Sequence, residues 1–246
     1  MSTTSEAVPV EIITARDVPL GGPRAMTVHR TLPQRRRSLI GAWCFCDHYG
    51  PDHVAATGRM DVAPHPNTGL QTVSWLFTGE IRHDDAQDVH AVVRPREVNL
   101  MTAGAGTCHS EVSTEETDIL DGVQLWTVLP EDARHGPRRF DHLVNTGDLQ
   151  ARLILLGGEP FAEEVVMWWN FVGRSDEEIR SYREQWNDLD HAAERFGVTE
   201  GYVGHDQEGP RRLPAPVMPE TPVRARTNPS PVARPGDDPY RPKDAR

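Results

Sequence analysis

Apolar and polar residues alternate through much of the chain, and the alternation predicts strands. Val73, Trp75 and Phe77 fall at every second position, as do Val98 and Leu100 ahead of Met101. A period of two places one set of side chains on a single face of an extended chain. Residues 122–130, GVQLWTVLP, repeat the pattern, and residues 10–14 and 25–30 predict two further strands around a Pro/Gly turn at 19–23. ARLILLGGEPF, from Ala151, predicts a short buried strand ended by Gly157 and Gly158. Gly79, Gly104 and Gly106 stand where turns are needed. Residues 81–90 are charged and predict an exposed hairpin, and residues 131–150 are polar.

One stretch changes period. Ile179, Tyr182, Trp186, Leu189, Ala193 and Phe196 follow a 3–4 spacing, which predicts a helix over 175–196 with one packing face. Ser175 followed by Glu178 is a capping-box pattern, and Gly197 is a fitting stop. Residues 1–9 read as a flexible polar end. From Gly209 to Arg246 the chain is rich in Pro and Arg without apolar periodicity, the composition of an extended or disordered tail.

Charge narrows the classes of partner. The chain has 246 residues and a formal net charge of −11, which argues against direct nucleic-acid binding and against an anionic membrane surface. No apolar run approaches the roughly 20 residues of a membrane span, and MSTTSEAVPVEIITARD lacks the basic start and apolar core of a secretory signal. Three cysteines, Cys44, Cys46 and Cys108, give no disulfide framework, so a reducing cytoplasm is the expected location. The basic run Arg35–Arg36–Arg37 carries too few charges for much nucleic-acid affinity and reads as a solvated or ion-paired loop.

The candidate chemistry lies between Met60 and Glu111. His65 and Asn67 stand at i and i+2, as do His109 and Glu111. On strands, each pair presents two side chains to one face. Two imidazoles and a carboxylate with open positions are typical of non-haem Fe(II) centres, whereas Asn67 offers only a weak neutral oxygen. Cys44, Cys46 and His48 also share a strand face, but C-x-C lacks the usual spacing of a zinc site, and the thiols read as small core residues. His83 and His90 read as surface residues. Cys108 should face away from the ligand side and pack.

Several segments resemble the pirin family of the cupin superfamily: GAWCFCDHYGP, MDVAPHPNTGLQTVSWLFTGE, NLMTAGAGTCHSE, GVQLW, and LLGGEPF followed by WNFVGRSDEEI. They cover most of residues 20–205 in the family's order. The resemblance implies an all-β protein of two cupin barrels with a C-terminal helix, and a single non-haem iron in the first barrel. Its ligand positions fall on His65, Asn67, His109 and Glu111, with Asn67 standing where the family motif H-P-H-x-G has its second His. It implies either quercetin 2,3-dioxygenase-type oxygenation of a flavonol-like molecule, with Glu111 as a candidate base, or a non-catalytic role as a regulatory cofactor acting through a protein partner.

The second barrel has little room. Only about twenty residues separate Leu129 from Ala151, and a barrel needs many strands of about 5–6 residues each. The expected architecture is therefore a cupin-type barrel over 10–130, then a truncated second cupin half with the helix over 131–208, then the tail over 209–246. Strands left without their usual cover favour association with another chain, here a homodimer.

Overall fold

The computed structural model describes residues 12–20, 26–144, 154–205 and 211–227. Its strands in chain order are β1 (Arg16–Leu20), β2 (Met26–Leu32), β3 (Trp43–Asp52), β4 (Asp61–Asn67), β5 (Leu70–Thr78), β6 (Ile81–Asp85), β7 (His90–Val93), β8 (Val98–Thr102), β9 (Thr107–Ser113), β10 (Leu120–Val128), β11 (Arg139–Leu143), β12 (Val166–Trp168) and β13 (Phe171–Gly173). The helices are α1 (Val54–Thr57), α2 (Asp176–Asn187) and α3 (Leu189–Phe196).

Two antiparallel sheets make the barrel. One runs β1-β2-β3-β10-β5-β8-β11 and the other β4-β9-β6-β7. Alternate residues of both sheets meet in one apolar cluster, with Val28, Tyr49, Leu76 and Leu120 from the larger sheet and Val62, Ile81 and Val93 from the smaller. Burial of these side chains is the main force holding the sheets together. Strand β4 is an edge strand, which is why it accommodates Pro64 and Pro66.

No second barrel closes among the described residues. Three short strands follow β10; β11 adds to the larger sheet of the first barrel, while β12 and β13 form a separate two-stranded hairpin. The hairpin, α2 and α3 pack on the outer side of β9, where Cys108 joins Val166, Phe171, Ile179, Trp186 and Phe196. The cover expected from a second barrel is supplied there by helices. Cys108 therefore faces away from His109 and packs, as its position predicts.

Several sequence expectations need correction. The strand predicted at 10–14 is not one: residues 10 and 11 lie outside the described residues, 12–14 are irregular, and the strand is Arg16–Leu20 instead. It contains Pro19, which reads as a turn residue but is tolerated on an edge. The strand predicted from Ala151 is also absent where described. Residues 151–153 lie outside the described residues, and Ile154 and Leu155 are exposed. The predicted single helix is two, broken at Asp188, whose side chain accepts from the backbone N–H groups of Asp190 and His191 and so starts α3. Leu189, placed on the packing stripe by its spacing, is exposed for that reason.

The Pro- and Arg-rich segment is anchored over residues 211–227. The Trp186 indole donates to Leu213 O at 2.8 Å, Leu213 N donates to Pro64 O at 2.8 Å, and Arg226 and Val165 exchange backbone hydrogen bonds. Residues 228–246 lie outside the described residues.

Candidate metal centre

Strands β4 and β9 pair antiparallel with His65 directly opposite His109. A register shift between Val62 and His65, an irregularity in β4, brings the two histidines into line. Their rings lie 4.2 Å apart, centroid to centroid. Glu111 follows on the same inner face of β9. One ligand atom from each of His65, His109 and Glu111 lies within 4.8 Å of the others, and all three residues are buried.

The hydrogen bonds select the free atoms. Nδ1 of His65 donates to Ala63 O at 2.9 Å, which leaves Nε2 with its lone pair unprotonated. Nε2 of His109 accepts from the Asn67 amide at 2.7 Å, while Nδ1 of His109 and Oδ1 of Asn67 are buried without partners among the described residues. Gln124 Nε2 donates to Glu111 Oε1 at 3.4 Å, and Ser74 Oγ donates to Gln124 Oε1 at 2.7 Å, so the amide of Gln124 is oriented toward the carboxylate. Burial pulls the His65 pKa down to about 4 and that of His109 well below its usual value, and pushes the Glu111 carboxyl up. Both rings are thus neutral at pH 7, the form that ligates a metal.

This donor set suits a metal ion. Two neutral imidazoles and one carboxylate converge in a buried space, the donor set of a divalent metal. Asn67 is brought to the cluster but through its nitrogen, as a hydrogen-bond donor to His109.

The cluster lies at a cavity of about 200 Å³. Its walls include Phe45 and Trp126, stacked with ring centroids 4.0 Å apart, together with Tyr49, Met60 and Trp169. Arg30 lines it too, held by two 2.7 Å bonds to the Asp47 carboxylate and lying 4.3 Å over the Phe45 ring. The Tyr49 hydroxyl and the Trp126 indole N–H are buried without partners among the described residues.

Other candidate residues fall elsewhere. Cys44 is buried where β3 bulges against β10, while Cys46 and His48 point outward, half-buried, and His48 contacts Asp121. No metal cluster forms there among the described residues. His90 is exposed and bonds Asp84 and Asp88. His83 corrects the reading of 81–90 as an exposed hairpin: it is buried, its ring is 5.1 Å from that of His109, and it stacks on Phe140 at 4.8 Å. Asp84 and Asp85 beside it are also buried. Charge suggested a surface, but His83 lies inside the barrel next to the cluster. The cavity residues Arg30, Asp47, Tyr49, Gln124 and Trp169 lie in predicted strands or in the resembling segments, but nothing in the sequence singled them out as cavity lining.

Known proteins give the context. The pirin family pattern matches residues 25–127, and that of the pirin C-terminal cupin domain matches residues 134–192. A Pseudomonas aeruginosa protein named "Putative quercetin 2,3-dioxygenase" is 32% identical, covering 84% of this chain and 90% of its own. A pirin-like protein of Caulobacter vibrioides is 39% identical over 54% of this chain, which spans half of that relative's length. A crystal structure of quercetin 2,3-dioxygenase from Acinetobacter baumannii superposes with a TM-score of 0.74 and 27% identity, covering 86% of this chain and 96% of that one. The barrel is a cupin fold, and the chain belongs to the pirin family.

Proposed function

We propose that this pirin holds one non-haem iron through His65, His109 and Glu111, with Asn67 at the fourth position, and acts as a quercetin 2,3-dioxygenase-type oxygenase on a flavonol-like substrate. The observation that carries the reading is the buried His–His–Glu set, within 4.8 Å, opening on an aromatic-walled cavity. The named relative and the Acinetobacter structure support the same class of reaction.

When bound, the iron supplies Lewis-acid polarisation of substrate oxygens and one-electron chemistry toward dioxygen. The chain's own residues do the rest. Met60, Val62 and Trp126 offer apolar wall to an aromatic ring. Arg30 offers a fixed cation at the cavity wall. Glu111 is the carboxylate of the set and accepts the substrate hydroxyl proton. Gln124 keeps that carboxylate oriented while it changes protonation. The apolar walls keep bulk water from the reacting atoms.

A second reading has one observation in its favour. Asn67 meets His109 as a donor rather than as a ligand, which suits a weakly loaded or metal-free regulatory protein that binds a protein partner. Oxygen uptake with quercetin and Fe(II), run beside His65→Ala, separates the two. Uptake in the wild type that vanishes in the variant supports the oxygenase; no uptake by iron-loaded wild type favours the binding protein.

A further inference from the structure

We propose that Trp169, contributed by the segment after the barrel, is the ligand-facing wall of the cavity and determines its preference for planar aromatic molecules. The proposal rests on reading the cavity as a flavonol-type site. Trp169 and Asn170 form the two-residue turn between β12 and β13, across which Trp168 pairs with Phe171. Trp169 has φ of 51°, and Asn170 is not among the residues with positive φ. A hairpin turn with positive φ at its first central position alone ordinarily has glycine there. A bulky side chain in that conformation is strained, and such strain clusters at ligand clamps.

Packing against the Phe171 cluster holds part of the ring and leaves the rest open. Trp169 is only half-buried, edge-on to Phe171 with centroids 5.5 Å apart, and it lines the cavity that His65, His109 and Glu111 share. The turn cannot relax away from the cavity. Thr68 N donates to Asn170 O at 3.4 Å, Val172 N donates to Thr68 O at 3.1 Å, and Thr68 adjoins Asn67. Folding alone would favour glycine at this position; a rigid indole held over the cavity serves stacking, which gains from being fixed before the ligand arrives.

The test measures affinity and melting temperature in Trp169→Gly, Trp169→Ala and Trp169→Phe, with quercetin and 2-naphthol as probes, the second being planar but unable to chelate a metal. Calorimetry should show both probes weakened about tenfold in the Gly and Ala variants and nearly retained in Phe. Trp169→Gly should melt above Trp169→Ala, because only glycine relieves the backbone. A purely structural role predicts instead that affinity loss follows loss of melting temperature. Wild-type affinity in Trp169→Gly for both probes overturns the proposal and leaves the flavonol reading standing. Binding of 2-naphthol that depends on Trp169, with no binding of quercetin, upholds the wall and overturns the flavonol reading. Failure of the wild type to bind either probe overturns both.

Discussion

The side-chain amide of Asn67 donates to Nε2 of His109 across a distance of 2.7 Å. The lone pair of that nitrogen is therefore already engaged by a neutral donor, and a metal bound through it must displace the amide. Loading requires the amide to turn, bringing forward Oδ1, which is buried and unpartnered among the described residues. An imidazole at position 67 would remove that competition and add a better ligand. Asn67→His should raise Fe(II) affinity about tenfold or more, the scale seen even for changes outside the ligand shell. Metal analysis of protein purified with added Fe(II) checks this: iron below one equivalent in the wild type, rising in the variant. Equal and full occupancy in both would show that Asn67 does not weaken the site.

The buried histidines set a pH dependence in the metal-free protein. Desolvation holds the His65 pKa at about 4, against an ordinary value of 6.5. Between these values the unfolded chain binds more protons, so the stability linked to His65 rises with pH and is lost as pH falls from 6.5 to about 4. Glu111 acts in the opposite sense. Its raised pKa lets the folded state keep a proton longer, so its contribution declines as pH rises through that raised range. With chelator present, the unfolding free energy of wild type relative to His65→Asn should drop by roughly 3 kcal/mol between pH 7 and pH 4. Parallel pH profiles would mean that His65 is not buried as a neutral ring.

Gly69 lets the β12–β13 hairpin approach the ligand strand. Its φ is 66°, and a Cβ there would lie 2.3 Å from Val172 O. Gly69→Ala therefore adds backbone strain and pushes the hairpin outward. The expected cost is about 2 kcal/mol or more in urea unfolding. An unchanged midpoint would contradict the close approach.

Ser175 caps α2, its Oγ accepting from Glu178 N at 3.1 Å. The Glu178 carboxylate reaches back to Arg174 N at 2.7 Å and also pairs with Arg134. Ser175→Ala should lower stability by about 1 kcal/mol, read as a shift in the urea midpoint, with no effect on the metal site. A change in metal content would show that α2 is coupled to the barrel interior more tightly than its contacts indicate.

Much of the site was legible because it obeys a local rule. His65/Asn67 and His109/Glu111 are spaced for strands, and the strands are where that spacing requires. The pairing of His65 opposite His109 was not legible, since a register shift in β4 sets it. His83, Asp84 and Asp85 were misread because charge ordinarily marks a surface; here His83 lies beside His109 inside the barrel, and Asp84 is buried beneath Arg82 and His90 on the outer face. Pro19 concealed an edge strand for a similar reason: proline signals a turn unless the strand has a free edge. The helix break was hidden because the apolar spacing continues through Asp188, while the capping bonds that end one helix and start the next are local backbone geometry. Trp169 opens the WNFVGRSDEEI segment, but nothing in that segment marks it as a cavity residue, since its placement depends on a dihedral angle.

Iron uptake is the most direct test of the account. Metal-free protein titrated anaerobically with Fe(II) should bind the ion saturably, approaching one per chain at high concentration, and His109→Ala and Glu111→Ala should each abolish that binding while circular dichroism stays unchanged. Uptake that is undiminished in both variants, or no saturable uptake by the wild type at any concentration, would contradict a metal centre built on His65, His109 and Glu111.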